Sequence, residues 1–287
     1  MDQRPLKVAI TGASGFIGRA LAAQLAAEGH SIVPVSIRSA ESLALTAGAN
    51  AVVHLAGETV AQRWTKGARQ RILDSRVEGT RALIAALRAG PPQVLISASA
   101  VGYYGSRGDQ VLTENASGGG DFLSGVAAAW EQEAQAAEHF GVRVVRLRIG
   151  MVLGPGGGAL DRMLLPFRLG LGARLGDGRQ WISWIHLSDL LALIGLVLRE
   201  STLRGVLNAT APHPVQNAEF TRALASALGR PAFLFAPAPV LRFLLGEMSE
   251  LLLASQRAVP EAALRAGFTF QYPEVFAALH QILAGSV

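Results

Sequence analysis

The stretch KVAITGASGFIG (7–18) constrains this chain more than any other. A β-branched apolar run leads into glycines at 12, 15 and 18. A helical pattern follows, with Leu21 and Leu25 one turn apart. A strand that enters a glycine turn and then a helix commits the chain to a crossover unit, and such units build parallel sheets. Gly12 permits the tight turn, Gly15 lets a pyrophosphate approach the backbone, and Gly18 lets the helix pack closely on the strand. Together with Ser14, Phe16 and Ile17 they set free amide N–H groups and the positive end of a helix dipole where phosphates would sit. In this setting the motif predicts dinucleotide binding; alone it would be only a structural turn.

SIVPVS (31–36), AVVHLAG (51–57), QVLISAS (93–99) and VRVVRLRIG (142–150) read as further strands. Helices are expected over 66–89, capped by Thr65, and over DFLSGVAAAWEQEAQAAEHF (121–140), capped by Asp121, for which a catalytic acid is the competing reading. Strands alternating with helices imply a parallel sheet covered on both faces. Only fourteen residues separate Ser36 from Ala51. A single crossover needs about a dozen, so the edge strand after Ser36 is predicted to be missing or vestigial.

The pattern changes at GPGGGAL (154–160). LDRMLLPFRL reads as a helix kinked at Pro166, GDGRQ as a turn and WISWIH as one strand. Ser188 is expected to cap SDLLALIGLVLRE. VLNAT is one more strand, and after Pro212 the pattern is mostly helical. The expected architecture is α/β: a Rossmann-type doubly wound parallel sheet with helices on both faces, from 1–152 and 184–210. A smaller, mostly helical substrate lobe comes from 153–183 and 211–287.

Half of the 287 residues are apolar, which suits one large domain, or one domain with a smaller one appended. There is no cysteine, so disulfides, zinc thiolates and a cysteine nucleophile are excluded. The six histidines show no ligand spacing, and no metal is expected. The net charge of +5 comes from dispersed arginines without a basic block. That argues against nucleic acid and suits a polyanionic cofactor. The apolar run LALIGLVL is far too short to span a bilayer, and turn glycines occupy the place where a signal peptide needs its apolar run. These features predict a cytoplasmic protein with a small-molecule substrate and no nucleic-acid or membrane partner; homodimerisation stays open.

An NAD site places Asp or Glu at the end of the second strand, bonded to the ribose 2′-OH. Here Ser36, Ile37 and Arg38 stand there, and a guanidinium pairs well with a 2′-phosphate. NADP(H) is therefore expected over NAD. The competing reading of Arg38 is a solvated loop charge.

TGASGFIG, VVHLAG, SASAVGYYG and WIHLSD resemble the short-chain dehydrogenase/reductase superfamily in its extended, epimerase-like branch. AGE (56–58), RWT (63–65), SR (75–76), GYYG (102–105), WE (130–131), VLGPGGGAL, MLLPFRLGLG and GDGRQWISWIH narrow the match, as do NATAPHPVQNAEFTRALASALGRP and the closing GF–F–YP. They resemble epimerase-like proteins of the NAD-dependent epimerase/dehydratase group that share a characteristic C-terminal domain, some labelled cell-division inhibitors. The resemblance covers essentially the whole chain. It implies that Leu55, Ala56, Gly57 and Glu58 line the adenosine side. It places Arg76 where extended relatives often keep a cofactor-touching Asn, and Met151 and Val152 at the nicotinamide. Core packing competes for the last two, and a helix-surface charge for Arg76.

Reductases of this superfamily use Ser or Thr with a Tyr-x-x-x-Lys pair, whose spacing puts Tyr and Lys on one helical face. The lysine lowers the tyrosine pKa, and the tyrosine moves the proton as hydride moves. Ser99 suits the hydroxyl role, or else bonds local backbone. The tyrosine position falls near Phe122 or Leu123 and the lysine position near Val126 or Ala127, all apolar. The chain has two lysines, Lys7 and Lys66, and no tyrosine has a lysine four residues on. Tyr103 and Tyr104, on the loop leaving Ser99, are the remaining candidate proton donors. His186 is expected to orient its turn, and Trp130, Trp181 and Trp184 to form either a substrate wall or core. The expected activity is an NADP(H)-dependent, epimerase-like oxidoreductase without the dyad; the alternative is a non-catalytic NADP(H)-binding module.

Overall fold

The computed structural model describes residues 4–284; residues 1–3 and 285–287, which the expected domain bounds include, lie outside it. The N-terminal apolar run forms β1 (Lys7–Thr11). It pairs on one side with β2 (Ser31–Val35) and on the other with β3 (Ala51–His54). Beyond β3 come β4 (Val94–Ala100), β5 (Arg143–Ile149) and β6 (Gly205–Ala209), every neighbour parallel. The order is β6-β5-β4-β3-β1-β2. After β2 a five-residue helix, α2 (Ala40–Ala44), leads straight back to β3, so β2 is the sheet's edge, as the short spacing predicts.

Side-chain parity along the strands separates two cores. Val8, Ile10, Val53, Ile96, Val145 and Leu147 face α1 (Phe16–Ala27) and α6 (Leu187–Arg199). Ala9, Val52, Leu95 and Val144 face α3 (Lys66–Leu87) and α4 (Phe122–Gln135). Thr65 caps α3 by accepting from the Ala68 amide, and Asp121 caps α4 by accepting from Ser124. The cap of α6 is His186, not Ser188. The strand Trp184–His186 runs directly into Leu187, and the His186 Nδ1 accepts from the Ser188 amide.

WISWIH is two strands, not one. Trp181–Ile182 runs antiparallel to Val215–Gln216, and Trp184–His186 runs parallel to Met151–Leu153. Ser183 breaks the run, its hydroxyl donating to the Gln256 carbonyl and accepting from the Ala258 amide. A second cluster joins Leu160 and Phe167 of α5 (Gly158–Arg168) to α7 (Asn217–Ala227) and a C-terminal helix, Val275–Leu283. Between these lie α8 (Ala238–Leu245), α9 (Glu250–Leu253) and α10 (Glu261–Arg265), so the C-terminal helix is α11. Short strands Ala173–Leu175 and Leu234–Ala236 pair beside α8. Ala263 of α10 and Phe270, expected in the smaller lobe, pack into the α1–α6 core instead. The Asn208 amide of β6 ties this segment down by donating to the Val259 carbonyl.

Candidate functional site

Two of the three turn glycines are required by the protein's own backbone. Gly12 has φ +72°, and a Cβ there would lie 2.9 Å from the Ala56 nitrogen. A Cβ on Gly18 would lie 2.2 Å from the Gly12 carbonyl oxygen. Gly15 is less hemmed in, its nearest conflict being 3.2 Å. With Ser14 it lies exposed at the start of α1, where no side chain caps the first turn. Uncapped amides at a helix N-terminus are suited to a phosphate.

A buried relay braces this turn. Thr11 Oγ1 accepts from the Leu55 and Ala56 amides, so its own proton points to His54 Nδ1, 2.6 Å away. The opposite ring nitrogen then donates to Thr80 Oγ1 of α3 at 2.8 Å. Burial, seconded by the Arg76 charge, lowers the His54 pKa to about 4. The neutral ring is what such a network requires. Sequence reasoning passed over Thr11, His54 and Thr80; for Thr11 and His54 the signal was a polar residue in an apolar strand, and for Thr80, between Gly79 and Arg81, there was no local signal.

The Thr11–Val35 register sets Ser36, Ile37 and Arg38 beside Gly12. Arg38 is exposed, Ile37 packs under Gly79, and the Ser36 amide donates to Ser42 Oγ. The next acid along the chain, Glu41, accepts from the Ser39 hydroxyl. At the end of β3, the Glu58 amide donates to Ser75 Oγ, and Arg76 Nη1 donates to the Glu58 carbonyl at 3.0 Å. The Arg76 guanidinium lies 5.0 Å over the Trp130 ring, and a Cβ on Gly57 would come within 3.2 Å of it. Burial lowers its pKa to about 10, with Glu58 opposing. Arg76 is therefore a cleft residue rather than a solvated helix charge.

A cleft of about 1610 Å³ opens between the sheet's C-terminal edge, α4 and the smaller lobe. Arg76, Ala100–Gly102 and Ile149–Met151 line the sheet side, while Phe122, Leu123, Val126, Ala127 and Trp130 line the α4 side. The positions where relatives carry Tyr and Lys thus form an apolar wall. Among the described residues no tyrosine, lysine or histidine lines the cleft. Trp64, unnoticed as a site residue in the sequence, lines it together with Trp181. Met151 lines it too, whereas Val152 is turned into the core. Trp184 is fully buried and donates to the His213 carbonyl, so it is core.

The three expected catalytic residues are not at the cleft. Ser99 shares a strand face with Leu95, beneath α4, and its hydroxyl donates to Glu131 at 2.7 Å. Glu131 also receives the Arg148 guanidinium in a two-pronged pair at 2.8 and 2.9 Å, with both side chains at most 5% exposed. The Tyr104 hydroxyl bonds Asn208 and accepts from Arg148, and burial raises its pKa. Tyr103 packs its ring under the same guanidinium at 3.4 Å. Ser99, Tyr103 and Tyr104 therefore belong to a structural ion-pair network. Asp121 does reach the cleft, but one carboxylate oxygen is held in the α4 cap. No group of three or more acids and histidines among the described residues could hold a metal ion.

The profile of the NAD dependent epimerase/dehydratase family matches residues 8–209, and a domain of unknown function, DUF1731, matches 236–282. Epimerase family protein Mb2239 of Mycobacterium bovis is 43% identical over 95% of this chain and 96% of its own length. The crystal structure of human epimerase family protein SDR39U1 (isoform 2) with NADPH superposes with a TM-score of 0.90 at 35% identity, over 97% of this chain and 99% of that one. A nucleoside-diphosphate sugar epimerase from Corynebacterium glutamicum superposes with a TM-score of 0.81 at 34% identity, over 97% of this chain and 58% of that one. None of these names speaks of cell division.

Proposed function

The chain belongs to the NAD dependent epimerase/dehydratase family, and from that premise we propose that it binds NADP(H) along the sheet's C-terminal edge and presents the nicotinamide to a small molecule in the cleft. The observation that carries the reading is the end of β2. Beside the open glycine turn stand Ser36, Ile37 and an exposed Arg38, where an NAD site would place Asp or Glu at the strand end. The human relative crystallised with NADPH supports the same choice.

In this reading the pyrophosphate lies over Gly12, Ser14 and Gly15 and the first amides of α1, from Phe16 to Gly18. The adenosine side meets Leu55–Glu58, and the nicotinamide side meets Met151 and Arg76. Val152 contributes only by packing. Arg76 supplies from α3 the cation that superfamily relatives supply from a lysine on the helix equivalent to α4. The reaction is hydride transfer between the nicotinamide and a substrate carbonyl carbon, with the accompanying proton exchanged with solvent in the open cleft, since among the described residues no tyrosine or lysine lines it. The apolar α4 wall favours a second reading, an NADP(H)-binding module without turnover.

The test is a fluorescence titration with NADPH and NADH, using the tryptophans at the cleft as reporters. A charge-assisted contact to the 2′-phosphate predicts about 10- to 100-fold tighter NADPH binding. Arg38→Ser should erase that preference while leaving NADH affinity unchanged, and Arg76→Gln should weaken both coenzymes. Equal affinity in the unaltered protein sinks the NADP(H) reading. NADPH consumption across a panel of aldehydes and ketones then separates enzyme from module, since a module consumes none.

A further inference from the structure

Helix α8 is the least explained element of the fold. Its sequence, APVLRFLL, is apolar except for Arg242, yet none of its residues is buried. Phe243 is 88% exposed, and Leu244 and Val240 are exposed as well. Phe233, just before the strand leading into α8, is 79% exposed, and Phe235 within that strand 62%. That strand pairs with Ala173–Leu175, and the turn before this partner exposes Leu169 and Leu171. Apolar surface gathered on adjoining elements to this extent is uncommon on a protein that works alone in water.

The charges on these elements indicate what covers them. Segments 162–176 and 220–246 contain six arginines and no aspartate or glutamate. Arg168, Arg174, Arg230 and Arg242 are all exposed. Acids begin only at the margins, with Asp161, Asp177, Glu219 and Glu247, and Glu247 is paired with Arg69. A second copy of the chain docked by two-fold symmetry would press two arginine-bearing, acid-free patches together, with no carboxylate from these segments to pair with them. An anionic bilayer surface meets both demands, because aromatic and aliphatic side chains enter the headgroup boundary while arginines meet lipid phosphates.

We propose that the face formed by α8, the strand Leu234–Ala236 and the turn around Leu169–Leu171 docks on anionic phospholipid membranes. This is contact with a surface, not a span, since no helix among the described residues is long and apolar enough to cross a bilayer. It departs from the expectation of no membrane partner. Leu171, Arg242 and residues 246–252 also line the cleft, so the docking face borders the cleft. Docking there sets the cleft mouth beside the bilayer.

The test is co-sedimentation of the full chain with vesicles of phosphatidylcholine alone or mixed with phosphatidylglycerol. The mixed vesicles should bind the protein, and binding should fall as salt is raised. Phe235→Ser with Phe243→Ser should weaken binding by about 100-fold, as expected for two aromatic side chains withdrawn from the interface. Arg168→Ser with Arg230→Ser should weaken anionic binding by about tenfold or more. NADPH affinity serves as the folding control, because none of these four residues lies at the coenzyme site. Absence of vesicle binding overturns the proposal, and so does binding that neither salt nor the variants affect. Self-association by light scattering that Phe243→Ser abolishes, without vesicle binding, assigns the face to a second copy and overturns it equally.

Discussion

His54 has no exposed atom, yet both its ring nitrogens are engaged by threonines. With its folded pKa near 4 and its unfolded value at 6.5, the unfolded chain binds the extra proton first as acidity rises. The neutral ring's contribution is therefore complete above about pH 6.5 and is lost as pH falls towards 4. Denaturant midpoints should record a loss on the order of 3 kcal/mol across that window. His54→Gln should flatten the dependence; an equally steep fall in the variant would assign the loss to other groups. Site residues set by backbone constraints were legible in the sequence: Gly12 and Gly18 stand where a Cβ would strike the main chain. Residues set by direction were not. Ser99 has the right type near the right strand end, but strand parity turns it under α4 towards Glu131.

Helix α4 serves two neighbours at once. Phe122, Leu123, Val126 and Ala127 face the cleft, while Ala134 joins the core and Glu131 reaches beneath to Arg148. Removing one member of a buried pair leaves a naked charge, so Glu131→Ala should cost about 3–5 kcal/mol. Replacing Glu131 and Arg148 together by Met should cost markedly less, because no buried charge is then left unpaired. Chemical denaturation of the single and double variants measures the difference, and an equal cost for both would refute it. Periodicity showed that α4 is a helix and that its dyad positions are apolar. It could not show that the WE pair inside it closes an ion pair with an arginine from β5 and gathers both candidate tyrosines. WISWIH failed as one strand for a related reason. Its alternation is continuous, but Ser183 is held by the backbone at Gln256 and Ala258, 73 or more residues on.

At the scale of the molecule, a coenzyme lying along the sheet edge contacts the ends of several strands, so its binding should stabilise the fold as a unit. NADPH at about 100 times its Kd is expected to add about 2.7 kcal/mol to the unfolding free energy. NADH at the same concentration should add less, and a thermal-shift series with both coenzymes checks this. The chain by itself determined the doubly wound sheet, its shortened edge, the glycine turn and the absence of a Tyr-x-x-x-Lys pair. Each of these depends on local periodicity, on spacing, or on a residue type that no fold can supply if the chain lacks it. The tertiary structure decided which polar groups face the cleft. It withdrew Ser99, Tyr103 and Tyr104 into the Arg148–Glu131 network and brought Arg76 from α3 over Trp130. It packed α10 back against the sheet and left α8 uncovered. Those outcomes depend on partners distant along the chain, and a side chain's direction is settled only when such partners meet.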